Sequence, residues 1–290
     1  VRSLTPGEVQ RRPSALTRVF NAIVGGGRGI PSMSQPYGVA VGPDKRIYVA
    51  DSTGGLVHVY DVEHERYSSL EVKGAKSLIG VAFAGDLLIV TDSEDGSVKA
   101  LTLDGTLQWT LGRKAGFERP TGIAATPDRI YVVDTARHQV VFLDPFGVIQ
   151  GWFGLRGDAH GEFNYPTNIA SGADGLVYVT DSMNFRVQVF DRDGRYRSSF
   201  GRLGDSAGDF TKPKGIALDS EGHVYVVEGL NDFVQVFDAQ GRLLLAFGGS
   251  GVAPGQFWLP TGIAITNDHV YVVDAANHRV QEFDYLRGRG

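Results

Sequence analysis

Residues 165 to 210 read YPTNIASGADGLVYVTDSMNFRVQVFDRDGRYRSSFGRLGDSAGDF. Three short runs in this stretch, one ending near Ala170, then Val177 to Thr180 and Val187 to Phe190, alternate apolar with polar residues or are dense in β-branched side chains, the mark of strands. A fourth and weaker run is Tyr196 to Phe200. Between them stand Ala173-Asp174-Gly175 and Asp191-Arg192-Asp193-Gly194, where an Asp side chain can open a turn and a Gly can close it without strain. The unit reads as four short antiparallel strands.

Near-copies of it follow one another along the chain. The motif ahead of each inner strand recurs as Pro36-Tyr37-Gly38, Leu78-Ile79-Gly80, Pro120-Thr121-Gly122, Pro166-Thr167-Asn168, Pro213-Lys214-Gly215 and Pro260-Thr261-Gly262, with steps of 42, 42, 46, 47 and 47 residues. The acid that closes the next strand recurs as Asp51, Asp92, Asp134, Asp181, Glu228 and Asp274, with steps of 41, 42, 47, 47 and 46. Two columns keep one six-fold register. Four-stranded units at this period predict an all-β fold, a six-bladed β-propeller of four-stranded antiparallel blades, whose ring hides most strand edges.

The sixth copy stops at Tyr285-Leu286, soon after its third strand. Its missing strand is expected from the other end of the chain, because residues 19 to 38 align without a gap on residues 243 to 262. A strand over about Leu16 to Val24 should therefore close the ring beside strand three of the last blade. On this reading residues 1 to 15 are an N-terminal strap, 16 to 286 the propeller and 287 to 290 a tail.

Antiparallel order also sorts the loops. If strand one of each blade runs downward, the turn between strands two and three and the link to the next blade share the upper face. From Gly201 to Gly215 is 14 residues and from Gly112 to Gly122 only 10, while Lys73 to Ser77 is shorter still. The upper rim is expected to be uneven, low at the links into blades two and three, and any binding site is expected there.

Composition narrows the function. The chain has 290 residues, enough to bury a large core, and no window of it is apolar over the length of a membrane span. A net charge of -5 without a Lys/Arg cluster argues against a nucleic-acid surface. Zero cysteines exclude disulfides, thiolate metal sites and cysteine catalysis. The sequence shows no charged, apolar, small-residue leader and opens on Val1, as a processed product would.

The acids invite a reading as a carboxylate ring for acid-base work or cation capture. Each, however, ends a strand and precedes a tight turn, where a carboxylate can accept backbone N–H groups, and a feature present in every blade points to structure. The column Asp61, Asp104, Asp144, Asp191, Asp238 and Asp284 reads likewise as turn initiation, and Phe117, Phe163, Phe210 and Phe257 as plugs between blades. No Gly-x-Ser-x-Gly elbow is present, and Gly25-Gly26-Gly27 lacks the Gly-Lys-Ser/Thr ending of a phosphate loop.

The strings PTGIAITNDHVYVVDAANHRVQEFD (260 to 284) and PKGIALDSEGHVYVVEGLNDFVQVFDAQGRLLLAFG (213 to 248) resemble NHL repeats, named for the Asn-His-Leu or Asn-His-Arg column present here as Asn277-His278-Arg279. The resemblance spans about residues 16 to 286 and is closest to bacterial six-bladed propellers often encoded near multihaem c-type cytochromes and exported proteins. It implies an extracytoplasmic location and a protein partner, with such a cytochrome as the candidate. The same column departs from the family pattern in the other blades, and only His138 and His278 are histidines. Blades three and six face each other across the ring, so these two read as solvated loop side chains and not as shared ligands.

Related lyases and lactonases use zinc or calcium near the axis, which keeps a metal-dependent lyase or lactonase at the channel mouth as the competing reading. The positions expected at that mouth are Tyr37, Ile79, Thr121, Thr167, Lys214 and Thr261, with Asn168 in the glycine column. None is an acid or a histidine, whereas a hard cation needs several oxygen ligands with negative charge among them. No cofactor and no metal is expected. What does not repeat is a mixture of basic and aromatic side chains on the upper face, the usual anchors of protein interfaces. These are Tyr37, Arg113, Lys114, Arg119, Arg137, His138, Arg156, Met183, Phe185, Arg186, Lys214, Leu230, Phe233, Trp258, His278 and Arg279. The expected function is a non-catalytic interaction or scaffold propeller of an exported assembly.

Overall fold

A computed structural model of the chain describes residues 1–5, 33–266 and 269–284. The chain opens with β1 (Arg2–Leu4) and then builds the first sheet from β2 (Pro36–Val41), β3 (Ile47–Asp51), β4 (Leu56–Asp61) and β5 (Arg66–Glu71). The second is β6 (Leu78–Ala84), β7 (Leu87–Asp92), β8 (Ser97–Leu101) and β9 (Leu107–Leu111). β10 (Pro120–Ala125), β11 (Ile130–Asp134), β12 (Gln139–Leu143) and β13 (Ile149–Phe153) form the third. In the fourth are β14 (Pro166–Ser171), β15 (Val177–Asp181), β16 (Arg186–Phe190) and β17 (Tyr196–Phe200). β18 (Pro213–Leu218), β19 (Val224–Glu228), β20 (Phe233–Phe237) and β21 (Leu243–Gly248) make the fifth. The sixth combines β22 (Pro260–Thr266), β23 (His269–Asp274) and β24 (Arg279–Asp284) with β1. Six four-stranded antiparallel sheets stand around one axis as a six-bladed β-propeller.

Each strand type follows from where it sits. Second strands such as IYVVD in β11 and VYVTD in β15 are buried along their whole length, because both faces pack on neighbouring blades. Near-continuous apolar, β-branched runs suit that position. Outer strands such as RYSSLE in β5 are mostly exposed and carry little apolar pattern. Six apolar clusters fill the gaps between blades, and each draws on two adjacent sheets.

The inner strands approach one another so closely that the glycine column is a steric requirement. A Cβ on Gly80 would lie 2.3 Å from the Thr121 carbonyl oxygen, and one on Gly38 the same distance from that of Ile79. Asn168 occupies the equivalent position in β14, where it pairs directly with Thr180, whereas β10 and β2 bulge past the equivalent residue. The glycines and Asn168 pinch the channel to a cavity of about 50 Å³. The axis is thus no passage for a sizeable ligand, and only its mouths are open.

The N-terminus closes the ring, through a different segment from the one expected. β1 pairs with β24 as Arg2↔Glu282, Ser3↔Gln281 and Leu4↔Val280, so the closing strand is Arg2–Leu4 and not Leu16 to Val24. The latter stretch lies outside the described residues. Leu4 is fully buried in a cluster with Met33, Val39, Ile47, Tyr271 and Val280, which joins the first and last blades. Outer strands present so little buried surface that hydrophobic pattern cannot decide which N-terminal segment takes the slot.

Candidate functional site: the upper face

The acid column is structural, as its once-per-blade recurrence implied, and its main partners are the links and not only the turns. Asp51 accepts the N–H groups of Ser34 (2.7 Å) and Gln35 (3.1 Å) as well as that of Thr53. Asp92 takes those of Lys76 and Ser77, and Asp134 those of Glu118 and Arg119. Asp181 takes that of Asn164, Glu228 those of Thr211 and Lys212, and Asp274 that of Trp258. Each carboxylate staples the segment that leads into its own blade.

Asp51 makes this anchoring pH-dependent. Burial opposes its ionisation, but His58, with Nε2 at 3.2 Å, and the backbone donors outweigh burial and hold the carboxyl below the usual carboxylate range. A carboxylate depressed in the fold contributes stability above its unfolded value of 3.8, and that stability is lost as the pH falls below it. D51N is expected to lower the urea midpoint at pH 7 and to flatten its fall below about pH 4. Parallel pH dependences in the two proteins would refute the assignment. Asp181 and Glu228 behave oppositely, because burial is the larger influence there and raises both.

In blades four to six a second polar column, which the repeat analysis passed over, reinforces the links. Gln188, Gln235 and Gln281 are buried on strand three. Their side chains accept from Gly161, Gly208 and Gly255 N–H and donate to the Glu162, Asp209 and Gln256 carbonyls. Blades one and two carry His58 and Lys99 here, and blade three Val141. Phe163, Phe210 and Phe257 are fully buried under the same links, and Phe117 nearly so. The upper rim over blades four to six is long and pinned from beneath.

This pinning engages several of the expected contact residues. Arg186 Nε donates to Asp181 at 2.9 Å and its Nη2 to the Ala159 and Glu162 carbonyls, while Arg279 does the same with Asp274, Ala253 and Gln256. Both guanidiniums are engaged by the fold. His138 is buried, not solvated: Tyr165 N–H donates to its Nδ1 and its ring packs 4.6 Å from that of Tyr165. His278 is exposed. Phe185 and Phe233 are half-buried.

Arg113, Lys114, Arg119, Arg137, Arg156, Met183, Leu230 and Trp258 are exposed. Beside them the structure exposes Leu155, Tyr165, Leu203, Val252 and Leu259, which differ from blade to blade and so left no periodic signal. Together with Met183, Leu230 and Trp258 these eight large apolar side chains are 42–67% exposed. All lie on the links and upper turns of blades four to six. None of the exposed large apolar residues lies on the upper loops of blades one to three among the described residues.

At the channel mouth the hydroxyls are already engaged. Thr121 bonds Thr135 (2.7 Å) and the Thr167 carbonyl (3.1 Å), Thr167 bonds Ser182, and Thr261 donates to the Tyr37 carbonyl. Lys214 Nζ lies 6.0 Å from the centre of the half-buried Tyr37 ring and pairs with no carboxylate among the described residues. Burial, then Lys212, depresses the Lys214 pKa; burial raises that of Tyr37, and the charge of Arg119 opposes that rise. The mouth is cationic and, among the described residues, offers no hard-cation ligand set.

Comparisons with known proteins agree on architecture. The NHL repeat family matches residues 163–190 and 257–283, and a family described as outer membrane protein assembly factor BamB matches residues 21–152. No curated protein matches the chain significantly. A virginiamycin B lyase from Staphylococcus aureus superposes with a TM-score of 0.63 at 14% identity, covering 88% of this chain and 85% of that one. For a gluconolactonase from Xanthomonas campestris the TM-score is 0.67 at 18% identity, with 88% and 87% covered. A chain of a nidogen/laminin complex gives 0.61 at 18% identity, with 75% and 81% covered. Likeness at these identities speaks for the fold alone, which serves enzymes and binding proteins equally. The protein is a six-bladed β-propeller whose fourth and sixth blades match NHL repeats.

Proposed function

We propose that the protein is a non-catalytic docking propeller whose upper face over blades four to six binds a protein partner. The observation that carries this reading is the one-sided cluster of exposed apolar residues on links held rigid from below. Rigid aromatic and aliphatic anchors lose little entropy on binding, and Arg119, Arg137 and Arg156 add the charge that steers encounter. The competing reading, a metal-dependent lyase or lactonase at the channel mouth, lacks acid and histidine ligands there among the described residues. An extracytoplasmic assembly is the proposed setting, in keeping with the similarity of residues 21–152 to an outer membrane protein assembly factor. An exported multihaem c-type cytochrome is the proposed partner, on the strength of the family resemblance.

The triple variant M183A/L230A/W258A tests the face, because all three side chains are exposed and can be truncated without opening the core. Binding of the purified cytochrome, read by its haem absorbance, is expected to weaken at least tenfold at an unchanged unfolding midpoint, as truncating an interface centre costs about 2 kcal/mol or more. Equal affinity in the variant would refute the face. A partner without haem, captured by cross-linking and lost in the same variant, would keep the face and reject the cytochrome.

A further inference from the structure

A second constellation lies on the opposite, lower side, where the last blade meets the first. Antiparallel register sets His269 opposite Asp284 and Tyr271 opposite Glu282, which brings three potential ligands to one face of the β23–β24 pair. His269 Nδ1 is 3.0 Å from Asp284 Oδ1 and 3.3 Å from Glu282 Oε1, and all three ligand atoms lie within 4.8 Å of one another. Yet among the described residues His269 Nδ1, buried at the atom level, makes no hydrogen bond, so neither oxygen lies along its donor direction. Two ligands of a tetrahedral zinc, each about 2.1 Å from the ion, flank one another at roughly 3.4 Å in this way. His223, at the matching position of blade five, instead meets Asp219 in an ordinary hydrogen bond of 2.9 Å.

Glu282 strengthens the case. In the other five blades the residue across from the equivalent position of strand two is Val59, Ala100, Phe142, Val189 or Val236. A carboxylate has replaced an apolar side chain in this blade alone, and it is only 11% exposed, with Tyr271 Oη donating to it at 3.0 Å. Among the described residues its ion-pair neighbour is His269 and not Arg2, its cross-strand partner in β1. A buried acid without a fixed cation is costly unless something positive joins it. The site opens on a cavity of about 620 Å³, whose far wall, from blade one, carries Asp61 and His64.

We propose that His269, Glu282 and Asp284 bind a zinc ion that clasps the ends of β23 and β24 at the seam where the ring closes. One imidazole and two carboxylates suit a borderline cation, whereas calcium and magnesium ask for more oxygen ligands than this site supplies. Tyr271 orients Glu282 from behind, as outer hydrogen bonds orient ligands elsewhere.

Zinc titration of the full, chelator-stripped chain, followed by calorimetry and thermal unfolding, decides the matter. One zinc per chain is expected, with the unfolding midpoint raised by roughly 5 °C at a hundredfold excess over Kd. E282V, which restores the residue of blades one, four and five, should weaken zinc binding on the order of 100-fold while the stripped protein stays at least as stable. H269A, at a half-exposed ring, should lose zinc equally and serves should E282V misfold. No stoichiometric zinc, or zinc bound as tightly by both variants as by the unaltered chain, would overturn the proposal.

Discussion

Replacing Asp181 by alanine is expected to lower the thermal midpoint by roughly 10 °C. The carboxylate receives Asn164 N–H at 2.7 Å, Asn184 Nδ2 at 2.8 Å, Arg186 Nε at 2.9 Å and Gln188 Nε2 at 3.2 Å. Its removal takes the anionic acceptor from a mostly buried guanidinium and a buried amide, leaving them only the Ala159 and Glu162 carbonyls among the described residues. Breaking a buried pair from one side costs about 3–5 kcal/mol, because the surviving charge keeps its desolvation penalty. The loss should appear first in residues 154–165, as faster amide exchange and proteolysis of the link into blade four. Asp191→Ala, in a lower turn of the same blade, serves as the control and should cost on the order of 1 kcal/mol or less. A D181A midpoint within two degrees of the control would show that the links stand without their carboxylate staples.

Deleting residues 1–5 should have a comparable or larger effect, and of a different kind. Leu4 is fully buried between the first and last blades, so its loss alone costs about 2–5 kcal/mol. The deletion also strips β24 of its outer partner and leaves an unpaired edge, a template for pairing with other chains. Lower stability together with concentration-dependent association, seen by light scattering, is the expected result. L4A separates the two causes, since it should destabilise without promoting association. A shortened protein that stays monomeric and equally stable would mean that another segment, such as Leu16 to Val24, fills the slot as well as Arg2–Leu4.

Much of this molecule could be read from residue order, because a propeller repeats its demands. The Pro-x-Gly motif recurs since the inner strands come within van der Waals contact at the axis, and the acid column recurs since every blade must anchor an incoming link. Those demands are local, identical from blade to blade and visible as spacing. The same regularity allowed Phe163, Phe210 and Phe257 to be read as plugs. The basic character of Arg186 and Arg279 suggested a docking face; in the fold each guanidinium is also held by the acid five residues earlier and by two link carbonyls.

Six blades, their strand order, their upper and lower faces and the structural role of the acids were written in the periodicity of the chain, because steric and hydrogen-bonding requirements repeated at a fixed interval leave a trace in one dimension. Three features belong to three dimensions alone. Arg2–Leu4 closes the ring, since an outer strand buries too little to mark itself. Leu155, Leu203, Leu230 and Trp258 share one exposed half of the rim, since links unlike one another converge only in space. His269 meets Glu282 and Asp284 through a cross-strand register that brings together positions 13 and 15 residues apart in the chain.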